Sequence, residues 1–282
     1  MVALCRSSYP EAVYLHYHGY EEVDASRPAT VKDVASSYTQ DDPVGLADHI
    51  SEYFSPEVNQ LITKETRGQA SNPEWIAHRT GRITASVAHR VKHYKHGDSL
   101  LKEILGQSSF TGNKHTEYGL QSEPVAKAHY SMLMKTHKNF KLTDTGLIVS
   151  EELPFLAASP DGLVSCSCHG AGLLEIKSSS KHRDLSIDDI CRLGNYHMKH
   201  DENSKMQLKT SSPCFTQIQF QLGITGYTYC DFVAYTQKAP YIAVERILFD
   251  REMWEDDKAV YLHFFQEHVA PSLFLKVNQI FL

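Results

Sequence analysis

Leu173-Leu174-Glu175-Ile176-Lys177 is the feature that most narrows what this chain can fold into. Read as a strand, its successive side chains alternate between two faces. Leu174 and Ile176 then share one face, and Glu175 and Lys177 the other. A carboxylate and an ammonium on an otherwise apolar strand need a partner or a metal, because burying charge alone is costly. Asp161 lies fourteen residues before Glu175, in the turn Ser159-Pro160-Asp161-Gly162 that closes a strand-like run over 155–158. If the two strands are neighbours, Asp161 and Glu175 converge, and two hard oxygen ligands plus waters commonly hold Mg2+. A metal there stabilises the charge that develops in phosphodiester cleavage, and Lys177 can orient the attacking water or neutralise phosphate. Either fragment alone is ordinary: a common turn pair, or a solvated strand face. Together, in this order, they point to a metal-dependent nuclease.

A third carboxylate has the right setting. The spacing Gly119-x3-Glu123-x2-Ala126-x3-Tyr130 puts these residues on one helical face. Two of them are small, so the helix can lie close to a sheet and direct Glu123 at the Asp161/Glu175 pair. The plain alternative is a surface glutamate favoured near a helix N-terminus. In a helix opened by Pro213, Gln217 and Gln221 share one face while Ile218 and Leu222 share another, so the glutamines look towards a cleft and the aliphatics pack.

The remaining signals set bounds. Residues 1–70 read as a polar arm or small helical cap with short helices within 47–62; residues 71–282 read as the main domain. Further helices are expected from Pro73, from Thr84, over 119–136 with Pro124 in the first turn or at a kink, and over 251–268. Strands are expected over 145–150, 155–158, 173–177, 230–235 and 241–249. This interleaving implies an α/β fold, a mixed sheet flanked by helices. Net charge is −6, which argues against a broadly basic DNA coat but not against a nuclease with local contacts. No apolar run is long enough to span a membrane, and the first residues lack a basic segment followed by an apolar one. We therefore expect an intracellular, nuclear or cytoplasmic protein that is not secreted, with Cys5, Cys166, Cys168, Cys191, Cys214 and Cys230 as reduced thiols. Cys166-Ser167-Cys168-His169 has one residue between its cysteines and no second ligand pair nearby in sequence, so a metal-free loop is expected. The basic stretch from His89 to His96 is either a DNA-backbone contact or a solvated helix face.

Four blocks occur in order over residues 75–274. They are Trp75-x3-Arg79-x2-Arg82-Ile83-Thr84-Ala85-Ser86; the Gly119-to-Tyr130 helix; Ser159-Pro160-Asp161-Gly162 with Gly172-Leu173-Leu174-Glu175-Ile176-Lys177; and Gln217-Ile218-Gln219-x-Gln221-Leu222 followed by Cys230-Asp231-Phe232-Val233. The set resembles the YqaJ-type viral recombinase, or lambda-exonuclease-like, family of the PD-(D/E)XK nuclease superfamily. The resemblance implies a restriction-endonuclease-like core. It implies Glu123, Asp161 and Glu175 as carboxylates for Mg2+, with Mn2+ as a substitute, the backbone carbonyl of Ile176 as a further ligand, and Lys177 as the catalytic lysine. Arg79, Ser86, Ser159 and Gln217 would hold a 5′ phosphate, with Arg82 and Gln221 as further contacts. The implied activity is 5′-to-3′ digestion of double-stranded DNA from a phosphorylated end, in recombination and repair, by a homotrimeric ring with a strand-annealing partner. An endonuclease or flap-processing enzyme on the same core, and a non-catalytic DNA-end-binding module, stay open. Two departures bear on substrate detail: Ser178-Ser179 follows Lys177 where many relatives have Cys-Pro, and Cys214 stands where an aromatic residue is common.

Overall fold

In the computed structural model, residues 27–40, 42, 45–108 and 112–279 are described. The first part of the chain is helical: α1 (Val31–Ser36), α2 (Gly45–Tyr53), α3 (Pro56–Glu65) and α4 (Pro73–Arg79). A short strand β1 (Ile83–Thr84) leads into α5 (Ala85–Lys92), α6 (Asp98–Ile104) and the long α7 (Lys114–Leu133). Strands β2 (Lys141–Thr143), β3 (Ile148–Val149), β4 (Leu156–Ala158), β5 (Gly162–Cys166) and β6 (Gly170–Ser178) follow. Then come α8 (Ile187–Arg192), β7 (Met198–His200), β8 (Met206–Leu208), α9 (Pro213–Thr225), β9 (Tyr229–Tyr235) and β10 (Ile242–Leu248). The last helices are α10 (Arg251–Phe264) and α11 (Ala270–Gln279), joined by a π-helical turn over Phe265–Val269.

The main sheet has the order β10-β9-β6-β5-β2. It is mixed: β6 runs parallel to β9, and the other pairings are antiparallel. Smaller sheets β1-β4-β3 and β7-β8 lie beside it. This is the mixed α/β architecture that the interleaved pattern predicts. The β5–β6 hairpin pairs Gly162 with Leu174 and Leu163 with Leu173. One step further along that register, Asp161 comes opposite Glu175.

Local chemistry explains where the helices begin. Asn72 accepts a hydrogen bond from Glu74 N ahead of Pro73, and Ser212 does the same for Phe215 N ahead of Pro213. Asn113 and Thr116 form a capping box at the start of α7, five residues before the expected start. Pro124 therefore sits inside the helix rather than in its first turn. The carbonyl it leaves without a donor belongs to Leu120, which is 56% exposed, so water can satisfy it. Strand β3 is shorter than expected, and β1, β2, β5, β7 and β8 are additional to those read from the sequence. The final helix runs past residue 268 through the π turn into α11.

Three apolar clusters fill the interior. One joins α1, α2, α3, α5 and α6 to the small β1-β4-β3 sheet and the C-terminal helices. Val31, Leu46, Ile50 and Ile62 are fully buried there, and each such side chain contributes about 2 kcal/mol. Thr66 Oγ1 accepts from Leu147 N at 2.7 Å and Thr63 Oγ1 donates to Leu147 O at 2.9 Å, which ties α3 to β3. A second cluster puts α8 and α9 on one face of the main sheet; a third puts α7 on the other. Among the described residues, no helix is long and apolar enough to cross a membrane.

Candidate active site

Asp161 ends the turn that carries the chain from β4 into β5. Its Oδ2 accepts a hydrogen bond from Ile176 N at 2.6 Å, which seats it on the neighbouring strand. On β6, Leu174 and Ile176 pack with Ala126 and Tyr130 of α7. Glu175 turns the other way, towards α9, as strand alternation requires. It is 1% exposed, and a carboxylate at that depth needs donors. Three are present. Lys177 Nζ and Gln217 Nε2 donate to Oε1 at 2.5 and 2.7 Å, and Gln221 Nε2 donates to Oε2 at 2.7 Å. Gln217 and Gln221 are one turn apart, so a single face of α9 delivers both amides.

Glu123 is half-buried on α7, and its partner is Lys127 at 2.8 Å. Lys127 also reaches Asp144 at 2.8 Å. Helix α7, which carries Glu123, packs on the face of β6 opposite to the one Glu175 points to, and each of the three carboxylates is turned to a partner of its own. Charge still couples them. Burial, then Glu175 and, more weakly, Glu123, push the Asp161 carboxyl well above its usual value, against the pull of Lys177. Burial works to lower Lys177, but Glu175, Cys214 and Asp161 outweigh it and hold the ammonium above its usual value. Burial pushes the nearby Cys214 thiol up to about 11, so it is neutral and a poor nucleophile. The two lysines are already shared among Glu175, Glu123 and Asp144, which leaves the acids short of positive charge. Hard carboxylate oxygens in that condition fit a divalent cation.

A second group lies two residues upstream of Asp161. The Arg79 guanidinium stands 4.1 Å over the Trp75 ring and donates to Ser86 Oγ at 3.0 Å and Thr84 Oγ1 at 3.3 Å. Trp75 Nε1 donates to Ser159 Oγ at 2.8 Å. Arg79, Ser86 and Ser159 are thereby linked through one indole. Burial lowers Arg79 to about 10, with Glu103 opposing, so it keeps its charge at neutral pH. The turn between the two groups is braced by Gln69, whose Nε2 donates to Pro160 O at 2.9 Å and Thr145 O at 3.1 Å.

Other residues read from the sequence as phosphate contacts are placed differently. Arg82 is 1% exposed and donates to Pro154 O at 2.8 Å and His78 O at 2.5 Å, which makes it a bolt of the interior. Gln221 is 0% exposed and committed to Glu175, and the Gln217 amide also donates to Glu175. In the basic stretch, Arg90 pairs with Glu103 at 2.6 Å and Lys92 with Asp257 at 2.6 Å, while His89 and His93 stack on each other. Those two cations are thus paired within the chain. Gln69, Thr84 and Lys127 carry parts of the site that the sequence reading did not assign. Only Lys127 left a signal, its i,i+4 spacing from Glu123.

Comparison with known proteins follows the same lines. The YqaJ-like viral recombinase domain matches residues 74–228, more than half of the chain. The uncharacterized protein R354 of Acanthamoeba polyphaga mimivirus is 28% identical over 230 residues, 76% of this chain. The chain spans only 37% of the length of that relative. Among solved structures, the alkaline exonuclease LHK-Exo from Laribacter hongkongensis is 26% identical with a TM-score of 0.54, over 73% of this chain and 97% of that one. KSHV SOX in a DNA complex has a TM-score of 0.52 at 14% identity, over 88% of this chain and 79% of that one, a likeness of fold. Glu123, Asp161, Glu175 and Lys177 all fall inside the matched segment, and the chain belongs to the YqaJ-like viral recombinase domain family.

Proposed function

We propose that this chain is a divalent-metal-dependent nuclease that degrades double-stranded DNA 5′ to 3′ from a phosphorylated end. One observation carries the reading: Ser159 and Asp161 share a single braced turn, so a phosphate-binding group and a metal-binding carboxylate are two residues apart. Glu123, Asp161, Glu175 and the Ile176 carbonyl would hold the ion. Their hard oxygens favour Mg2+, with Mn2+ as a substitute. When bound, it supplies Lewis acidity for the scissile phosphate and the attacking water. Gln217 and Gln221 fix the orientation of Glu175. Lys177 stays protonated, so it orients the water and neutralises phosphate charge rather than accepting a proton. Arg79 grips the terminal phosphate through its planar fork, and the Ser86 and Ser159 hydroxyls add donors without adding charge. Solved complexes of LHK-Exo with dAMP, and of SOX with DNA and with RNA, support a nucleic-acid substrate.

The test is digestion of linear duplexes bearing a 5′ phosphate or a 5′ hydroxyl, beside a closed circular plasmid, with Mg2+, Mn2+ or chelator. The phosphorylated duplex should disappear at least about tenfold faster, since a hydroxyl end lacks the phosphate oxygens that accept the charge-assisted hydrogen bonds. The circle should survive, and chelator should stop the reaction. Equal rates on the two ends would remove the end-specific reading. Cutting of the circle would make it an endonuclease, and inertness with both metals a DNA-end-binding module.

A further inference from the structure

The turn between β5 and β6 carries Cys166, Cys168 and His169, a spacing that by itself makes a poor metal site. Folding adds a fourth residue. His137 follows the 3-10 turn Met134–Thr136 at the end of α7, and its ring meets the hairpin tip. His137 Nδ1 lies 3.4 Å from Cys168 Sγ and 3.7 Å from Cys166 Sγ. His169 Nδ1 is 3.5 Å from Cys166 Sγ, and the two sulfurs are 3.3 Å apart. All four ligand atoms fall within 4.8 Å of one another. Zinc bonds of about 2.3 Å to sulfur and about 2.0–2.1 Å to imidazole nitrogen, at tetrahedral angles, set ligand-to-ligand edges of roughly 3.3–3.8 Å. The three sulfur–nitrogen contacts, at 3.4, 3.5 and 3.7 Å, have those lengths, and the two sulfurs, at 3.3 Å, would part by about 0.5 Å to close on the ion.

We propose that His137, Cys166, Cys168 and His169 form a structural site for one Zn2+. The donor set excludes the ions suited to the carboxylate centre: thiolate and imidazole select Zn2+ over Mg2+ or Ca2+. Four protein ligands complete the tetrahedron and leave no open position for substrate, which separates structural zinc from catalytic zinc. Charge closes as well. On binding, the two thiols release two protons to solvent, and two thiolates with two neutral imidazoles balance the ion. The backbone around the quartet is already set. Ser167 N donates to Lys138 O at 2.9 Å, and Asn139 Nδ2 donates to Ser167 Oγ at 3.0 Å. Gly170 follows with φ of 74°, a left-handed turn that swings His169 back over Cys166.

The site belongs to a different part of the molecule from the carboxylates. Cys166 is five residues along β5 from Asp161, about 16 Å at the rise of a strand. The assignment therefore stands apart from the nuclease reading. Zinc here would pin the end of α7, which carries Glu123, to the far end of the hairpin whose near end carries Asp161 and Glu175.

The untagged 282-residue chain, purified under reducing conditions from zinc-supplemented medium, should contain one zinc per chain by elemental mass spectrometry. Replacement of that zinc by Co2+ should give the intense visible bands of a tetrahedral ion and a thiolate-to-cobalt charge-transfer band. Cys168→Ser should lose the zinc and both signatures, His169→Cys should keep them, and Asp161→Asn should leave them unchanged. Folded wild-type protein with no zinc and no tetrahedral cobalt spectrum overturns the proposal. So does iron in place of zinc, a Cys166–Cys168 disulfide in the reduced preparation, or a folded Cys168→Ser variant with its full zinc complement. Should Cys168→Ser fail to fold, the wild-type cobalt spectrum decides.

Discussion

At the scale of single residues, two arginines from one sequence block separate by burial. Arg79 and Arg82 stand three apart, and nothing in their spacing tells a ligand from a strut. Arg82 donates to two interior carbonyls and lies over the Phe54 ring at 4.4 Å. Arg82→Ala should cost about 3 kcal/mol in chemical denaturation, because it strands buried acceptors. Arg79→Ala should change stability little and weaken capture of phosphorylated ends, read as a rise in KM on that substrate alone. Asp161 gives a prediction of the opposite sign. Its folded pKa is raised, so its ionised form opposes folding at neutral pH. That cost fades as pH falls through the folded value and is gone below the usual carboxylate value of 3.8. In metal-free protein, Asp161→Asn should therefore raise the melting temperature at neutral pH by a few degrees, and by less in acid, while abolishing cleavage. Mg2+ should raise the melting temperature of wild type but not of the variant. A lower melting temperature for Asp161→Asn at pH 7 would contradict the charge balance described for the site. Lys177 bears on none of this near neutrality. With a pKa above its usual 10.5, its contribution is complete below that value and is lost only as pH rises through the folded one.

At the scale of elements, helix α9 decides the orientation of Glu175, and a close contact decides the position of α9. Gly223 faces the Trp254 ring of α10, and any Cβ there would overlap it. Gly223→Ala should push α9 outward, at about 1–3 kcal/mol for overpacking, and lower kcat with it because Gln217 and Gln221 move together. A variant that loses stability yet keeps full kcat would mean the two amides are dispensable. The sequence made α9 and β6 legible because apolar and polar positions alternate at helical and strand periods. It hid β5, whose Gly162 reads as the end of a turn, and the first turns of α7, which rest on the Asn113–Thr116 capping box rather than on apolar periodicity. It could not place α7, the helix of Glu123, on the face of β6 opposite to Glu175, since periodicity fixes which residues share a face but not which face meets which helix. His137 was out of reach for the same kind of reason: it stands 29 residues from Cys166, and only the fold closes that gap.

At the scale of the molecule, helices α1 to α3 share one interior with α5, β1 and the C-terminal helices. A chain beginning at residue 72 would lose Val31, Leu46, Ile50 and Ile62 from the buried cluster they share with Ile83, Leu147 and Phe265. We expect that truncation to aggregate or to lose cooperative melting in calorimetry; a sharp transition near that of the full chain would show the N-terminal helices to be an accessory. A homotrimeric ring would let a chain of net charge −6 retain DNA by enclosure rather than by bulk attraction, with a strand-annealing protein receiving the exposed strand. Light scattering should then return three chains per particle.

In the turn Ser159-Pro160-Asp161 a proline stands between the two polar residues. For a nuclease of the kind proposed, grip and cut are separated by two peptide units and a ring that cannot swivel about φ. With that torsion fixed and Gln69 holding the proline carbonyl, the gauge between grip and cut is narrowed to few settings. Such an enzyme clips the same increment from every end, whatever base that increment carries, and an extra residue between Ser159 and Asp161 would rescale the tick rather than merely slow the clock.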